Sequence, residues 1–444
     1  MRVRPATFLM GAFIACCALC DAQSRQALSP GEGSALGSVA AAHDYAQLNL
    51  IGAEVHMPAF EDTVVGTNNE FRRALLRRGM AIRVNSAPTS SFNLLDPPVP
   101  AEEQAYIGQR PYAKGTLTPI LTMDLKALHL RSAQLYVGAS MVWTTWDKSG
   151  PPAAALTGLY FYKSFSEGRV EMKAGYLVNA FEFVGFHVGG SLSTSSQGVY
   201  AVLPYNAGLS YSPLGTPSFN LKWNAPQHLY LKGALQRSTD PKGGKETIRR
   251  NATGLRFMPQ GEKLVTILEG GFDRPATKST PETWVRMGLI RNTSQYANSL
   301  TGGTSSGNYC AYLLADRQIT RGFRTRPSGG LFVGGSVEIA PAQLNAYTKY
   351  YEARAYLQGP FRSRSSDLVS VITTRSVHSQ DTLRNLIAQG KTVWTNTNTV
   401  TASYSMHAMR GTYFSGGLTY LQGPAVTPRV PNALVISLST SLFF

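Results

Sequence analysis

Beyond residue 22 the chain has no apolar run that reads as a membrane-spanning helix, which needs roughly 20 such residues. Cysteine is nearly absent: Cys16, Cys17 and Cys20 fall within the first 22 residues, and only Cys310 remains. Charged residues make up only 15%. Each shortage excludes something. A chain without a long apolar helix can cross a bilayer only as a closed β-barrel, because lipid offers the backbone no hydrogen-bond partners. A lone cysteine in an exported chain makes no intramolecular disulfide, so "SGNYCAY" reads as a core or wall position. The seven histidines are scattered, and none has a metal-site spacing such as His-Glu-x-x-His. The nearest approach to a nucleophile with its base is Ser405 and His407 in "SYSMHAMR", a spacing common by chance on strands. The "GGTSSGN" stretch lies between strands and opens no helix, so it reads as a surface loop and not a phosphate cradle. No enzyme activity and no cofactor are expected.

The beginning of the chain sets the compartment. In "MRVRPATFLMGAFIACCALCDAQ", two arginines precede an apolar run and then small residues, the pattern of a secretory signal peptide. It is assigned to residues 1–22, with lipoprotein processing at one of the three cysteines as the alternative. Residues 23–60 are rich in Ser, Gly and Ala at their start and are read as a flexible extension. The barrel is assigned to 61–444. A short helix is expected near 69–78, where Phe71, Ala74, Leu75 and Leu76 lie between arginine pairs and Gly79 is a stop.

From Met80 onward the pattern is period two. In "RVEMKAGYLV", Val170, Met172, Ala174 and Tyr176 oppose Arg169, Glu171 and Lys173. "SFNLKWN", "HLYLKGAL", "TWVRMGLI", "NAYTKYYEARAYL" and "DLVSVITT" continue it. There are about 16 such segments, with 18 the upper count, many near the 9–11 residues of a tilted transmembrane strand. The chain ends "NALVISLSTSLFF", where Leu434, Ile436, Leu438, Leu442 and Phe444 share one face and serines the other. The fold class is all-β, a transmembrane antiparallel β-barrel with a short N-terminal helical segment. Aromatics near strand ends, as in "LYFYKSF" and "TKYY", suit interfacial girdles.

Four stretches, in their order along the chain, resemble the carbohydrate-selective porins of the OprB type. They are "FRRALLRRGMAIRVNSAPTS", "SFNLKWNAPQHLYLKGALQRSTD", "LQGPFRSRSSDLVSV" and "YLQGPAVTPRVPNALVISLSTSLFF". The second departs from the family pattern by one residue inserted at Asn224-Ala225-Pro226. The resemblance covers nearly the whole mature length. It implies a 16-stranded barrel in a Gram-negative outer membrane and diffusion of sugars. It also implies a final strand whose last aromatic, Phe444, is read by the barrel-assembly machinery. It transfers no pore residue. A non-conducting, lectin-like barrel that binds polysaccharide is the alternative.

The formal charge is +16, and removal of Arg2, Arg4 and Asp21 with the leader leaves +15. Dispersed basic residues on an exported chain fit lipopolysaccharide contact or an anion-attracting interior, and not nucleic acid. Arg317, Arg321, Arg324 and Arg326 fall within ten residues and are candidate pore contacts, because guanidinium forks donate to sugar hydroxyls or anions. Rim charge is the competing reading for that run. Glu352, Arg354 and Trp143 complete the candidate set.

Overall fold

The computed structural model describes residues 48–49, 52–146, 152–185, 187–188, 191, 202–322 and 327–444. The signal peptide lies outside the described residues. The strands are β1 (Met80–Ser86), β2 (Thr89–Asn93), β3 (Tyr112–Asp124), β4 (Ala133–Thr144), β5 (Ala153–Phe165) and β6 (Val170–Leu177). They continue with β7 (Thr216–Asn224), β8 (Leu229–Arg237), β9 (Leu264–Arg274), β10 (Thr283–Ala297), β11 (Thr304–Gln318) and β12 (Gly330–Ile339). The last are β13 (Tyr347–Gln358), β14 (Leu368–His378), β15 (Asn396–Met409), β16 (Thr412–Gln422) and β17 (Ala433–Phe443).

Every pairing is antiparallel between neighbours, and the sheet closes on itself. β17 pairs with β2 from Val435↔Asn93 to Ser439↔Thr89, and with β1 at Asn85↔Phe443 and Ser86↔Leu442. β1 and β2 are two halves of one stave, interrupted at Ala87-Pro88, where proline has no N–H to give the ladder. Two of the 17 strands therefore share a stave, and the closed barrel has 16 staves. The chain end is part of this seam: Phe444 N–H donates to Val84 O at 2.9 Å, and Val84 N–H to Phe444 O at 3.1 Å. Closure removes the unpaired edges that a sheet could not keep in lipid.

Polarity is inverted relative to a soluble barrel. On β10, Met287 and Leu289 are 61% and 47% exposed, whereas Arg286 is 3% exposed on the inner face. On β17, Leu438 is 51% exposed between Ser437 and Ser439. Apolar side chains form the outer belt, and polar ones line the lumen. Leu438→Arg should therefore destabilise the barrel by about 2–4 kcal/mol, the range for a basic residue at the bilayer midplane. Ser439→Arg, pointing inward, should cost much less. Urea unfolding in lipid vesicles measures both, and equal costs would contradict this orientation.

The two rims differ. Short turns at 125–132, 166–169, 225–228 and 410–411 share one rim with the start of β1 and the end of β17. Longer connections, 94–111, 178–215, 238–263 and 379–395, occupy the other. Helix α1 (Glu70–Leu76) precedes β1; the Asn69 side chain caps it by accepting from Arg72 N–H, and Gly79 at φ +69° ends it. The described parts of 178–215 pack against the inner wall. Phe183, Val184, Leu203, Ala207 and Leu209 form one core with Ala234, Val265, Ile267, Ile290, Cys310 and Leu314. Cys310 is fully buried there, as a wall residue.

Candidate functional site

The lumen is crossed by a strap, residues 52–63, from the part of the chain that sequence pattern reads as extension and barrel start. Its backbone carbonyls do much of the anchoring. Lys173 Nζ donates to Gly52 O at 2.8 Å, and Arg83 donates to Pro58 O at 2.7 Å. His56 forms an isolated parallel bridge with Ser191. Phe60 is buried beneath the Arg83 guanidinium, 3.8 Å from its ring centre. Asp62 then meets the far wall. It pairs with His407 Nε2 at 2.9 Å, and accepts from the Tyr413 hydroxyl and from Gly411 N–H. Gly411 sits at φ +64°, and a Cβ there would lie 2.4 Å from Val64 N, so the strap can approach only a glycine.

Glu54 is the strap's one charged contact with the wall of β7–β10. Its carboxylate lies 3.0 Å from Lys222 Nζ, 3.2 Å from Lys232 Nζ and 3.3 Å from Arg286. Burial would raise its pKa, but Lys232, Arg286 and Lys222 together outweigh that and hold the carboxyl well below the ordinary range. Glu269 lies 3.3 Å from Lys232 and 3.6 Å from Arg286. It also accepts from the hydroxyls of Tyr230 and Tyr312 and from Val184 N–H.

A second charged group lies farther round the wall. Arg354 presents a two-pronged fork to Asp316, at 2.8 and 2.5 Å, and reaches Glu352 at 2.6 Å and Ser336 Oγ at 2.8 Å. The Tyr350 hydroxyl donates to Glu352 at 2.6 Å. The inner wall from β14 through β17 to β4 also carries paired hydroxyls, between apolar and aromatic residues such as Leu368, Ile372 and Tyr413. Ser370–Ser403, Thr374–Thr399, Thr401–Thr419, Ser405–Ser415, Ser91–Ser437 and Thr118–Ser140 are all within 2.9 Å.

Ala53 and Val55 of the strap, with Phe181 and His187, line two cavities. One, about 320 Å³, meets the hydroxyls of Thr116, Thr118, Ser140 and Ser441, with Lys114 and the stacked pair Tyr136–Tyr160 at 4.7 Å between ring centres, and is otherwise walled mainly by apolar residues such as Met57, Ile120, Leu177 and Val178. The other, about 410 Å³, meets the charged side: Lys222, Arg286 and Arg354 with the carboxylates of Glu54, Glu171, Asp273, Glu282 and Asp316.

The residues singled out from sequence do not gather in one place. Glu352 and Arg354 are inward on β13 and bonded to each other. Arg317 is exposed on β11, between the inward Asp316 and Gln318. Arg321 is exposed in the turn after β11 and donates to Lys278 O and Ser279 O of the neighbouring turn, which is rim charge. Arg324 and Arg326 lie outside the described residues. Trp143 requires correction: Ser140 and Val142 of β4 line the lumen, so Trp143 faces outward, its indole lying over Gly115. Its neighbours Met141 and Val142 are both apolar, so parity at that strand end is ambiguous in sequence. Ser405 and His407 each engage other residues, Ser415 and Asp62 respectively. Sequence reading missed Glu54, Lys222, Lys232, Arg286, Tyr136 and Tyr160. The signal for the basic ones was present, since each alternates with belt residues and so must face the lumen.

Residues 131–444 match the family described as carbohydrate-selective porin, OprB family. The fold is similar to that of Pseudomonas putida OprB in its high-pH structure, with TM-score 0.71, 14% identity, and coverage of 86% of this chain and 98% of that one. Its low-pH structure gives TM-score 0.53 at 13% identity, with the same coverage of both chains. No curated protein matches the sequence.

Proposed function

The chain belongs to the OprB family of carbohydrate-selective porins, and we propose that sugar crosses its lumen along the hydroxyl-lined side, past Tyr136 and Tyr160. It is an outer-membrane porin that admits sugars and other small hydrophilic solutes, a channel rather than an enzyme. The observation that carries the sugar path is the approximately 320 Å³ cavity, where a stacked tyrosine pair adjoins Thr116, Thr118, Ser140 and Ser441. A hydroxyl donates and accepts, as each sugar hydroxyl does, so such a wall exchanges bonds with a passing sugar without holding it tightly. Conduction needs that balance between entry and release. The aromatic faces add a stacking surface for the apolar side of a sugar ring. Arg354 and Glu352 are secondary contacts on this reading, since each is already engaged by neighbours.

Vesicles holding the purified protein should swell in neutral monosaccharides, with the rate falling steeply as sugar size grows. Tyr136→Ala with Tyr160→Ala should alter monosaccharide flux by up to about tenfold, the scale of 0.5–1.5 kcal/mol for an aromatic contact. Chloride conductance should change far less. Unaltered sugar flux would remove the tyrosines from the path. A protein that neither swells vesicles nor conducts, yet binds polysaccharide, would be a lectin-like barrel instead. On the same reading the host is a Gram-negative cell, the basic surface meets lipopolysaccharide, and the assembly machinery engages β17 through Phe444. Support for the last point is the outward position of Phe444 at the end of the seam strand.

A further inference from the structure

We propose that Lys222, Lys232 and Arg286 form a carboxylate-binding subsite in the lumen, which Glu54 of the strap occupies until a carboxylate-bearing sugar displaces it. The inference rests on the porin reading for an open lumen, but not on Tyr136 or Tyr160.

Three cations converge there from β7, β8 and β10. The one wall carboxylate in direct ion-pair contact with them is Glu269, which is already committed to two tyrosine hydroxyls and a backbone N–H, while Glu171 and Asp273 line the same cavity without such a contact. Without Glu54, Lys222 has no ion-pair partner and Lys232 and Arg286 share Glu269 alone, in a partly desolvated wall where the lack of a close counter-ion is costly. Glu54 offsets it with a planar two-oxygen group: Oε1 faces both lysines and Oε2 faces Arg286. The guest is therefore a carboxylate, and it comes from a segment outside the barrel wall. A solute carboxylate can take the same three donors. Glu54 borders the approximately 410 Å³ cavity, which gives its side chain somewhere to swing and a monosaccharide somewhere to sit. Glu171, Asp273, Glu282 and Asp316 line that cavity too and repel anions from it, so entry favours a single carboxylate on an otherwise neutral sugar over a multiply charged solute.

The test is planar-bilayer recording in potassium chloride with glucuronate as the probe and glucose as the neutral control. Glu54→Gln should move the reversal potential toward anion preference. It should also lower the glucuronate concentration that blocks chloride current by about tenfold, equivalent to about 1.4 kcal/mol. Glucose should not distinguish the variant from the parent. Lys222→Met, made separately with Glu54 present, should weaken both anion preference and glucuronate block, so the inference stays testable if one variant assembles poorly. Equal reversal potentials and equal glucuronate block in the parent and both variants would overturn the subsite. A parent that neither conducts nor passes sugar would overturn the porin reading instead.

Discussion

Phe443→Ala should destabilise the barrel by about 3–5 kcal/mol, the range for an aromatic removed from a packed site. Phe444→Ala should cost only about 0.5 kcal/mol, as at other surface positions. Phe443 is 1% exposed, and its ring meets Tyr413 edge-on at 5.8 Å. Tyr413 in turn stacks on His407 at 4.6 Å and donates to Asp62 of the strap. The carbonyl of Phe443 accepts from Val64 N–H at 2.8 Å. One buried ring thus joins the last strand to β16, β15 and the strap at the point where the barrel closes. Phe444 contributes its backbone pair with Val84, which alanine keeps. Urea unfolding of the purified proteins in lipid vesicles reads the difference, and equal stabilities would contradict it. In cells the order should reverse: Phe444→Asp should lower outer-membrane levels sharply if the assembly machinery reads that side chain, although the protein that does fold remains stable.

Arg354→Met should be as damaging as the loss of the Phe443 ring, at about 3–5 kcal/mol. The cause is not the loss of a favourable pair, since buried ion pairs contribute little net stability. It is the stranding of Asp316 and Glu352 beside each other without their shared cation. The triple variant Arg354→Met/Asp316→Asn/Glu352→Gln should recover much of that loss, because neutral amides do not repel. In bilayers, Arg354→Met should also shift ion preference toward cations, since Asp316 and the other carboxylates of the approximately 410 Å³ cavity then face it with one fewer positive charge. Thermal loss of the compact electrophoretic form, compared across the parent, single and triple variants, decides the stability claim. A single variant as stable as the parent would refute it.

Much of the architecture was legible in sequence, because a membrane barrel writes its two faces into every strand. The alternation over Leu434–Phe444 predicted an outward apolar face, and Leu438 and its partners occupy it. The β10 segment reads the same way, with Met287 and Leu289 in the belt and Arg286 in the lumen. The helix near 69–78 followed from local signals, Phe71, Ala74, Leu75 and Leu76 between arginine pairs and a stopping Gly79; the Asn69 cap was added by the structure. The errors also have local causes. Trp143 sits in a run of consecutive apolar residues, where parity is lost. Arg317 and Arg321 were singled out for density of charge, but Arg317 shares parity with the belt and Arg321 lies in a turn.

The sequence alone determined the strand periodicity, the lipid-facing belt and the exclusion of a helical span, because each depends on residues at most a few positions apart. Tertiary structure alone decided what fills the lumen. Glu54 meets Lys222 across 168 residues and Arg286 across 232, and Asp62 meets Tyr413 across 351. No local pattern marks such a strap, since it is held by its own carbonyls, two carboxylates and the single buried aromatic ring of Phe60, with no periodic apolar face. Closing the ring brings staves from distant parts of the chain around one small volume. Only there does a carboxylate from outside the wall become the counter-ion of two buried cations and one half-buried one.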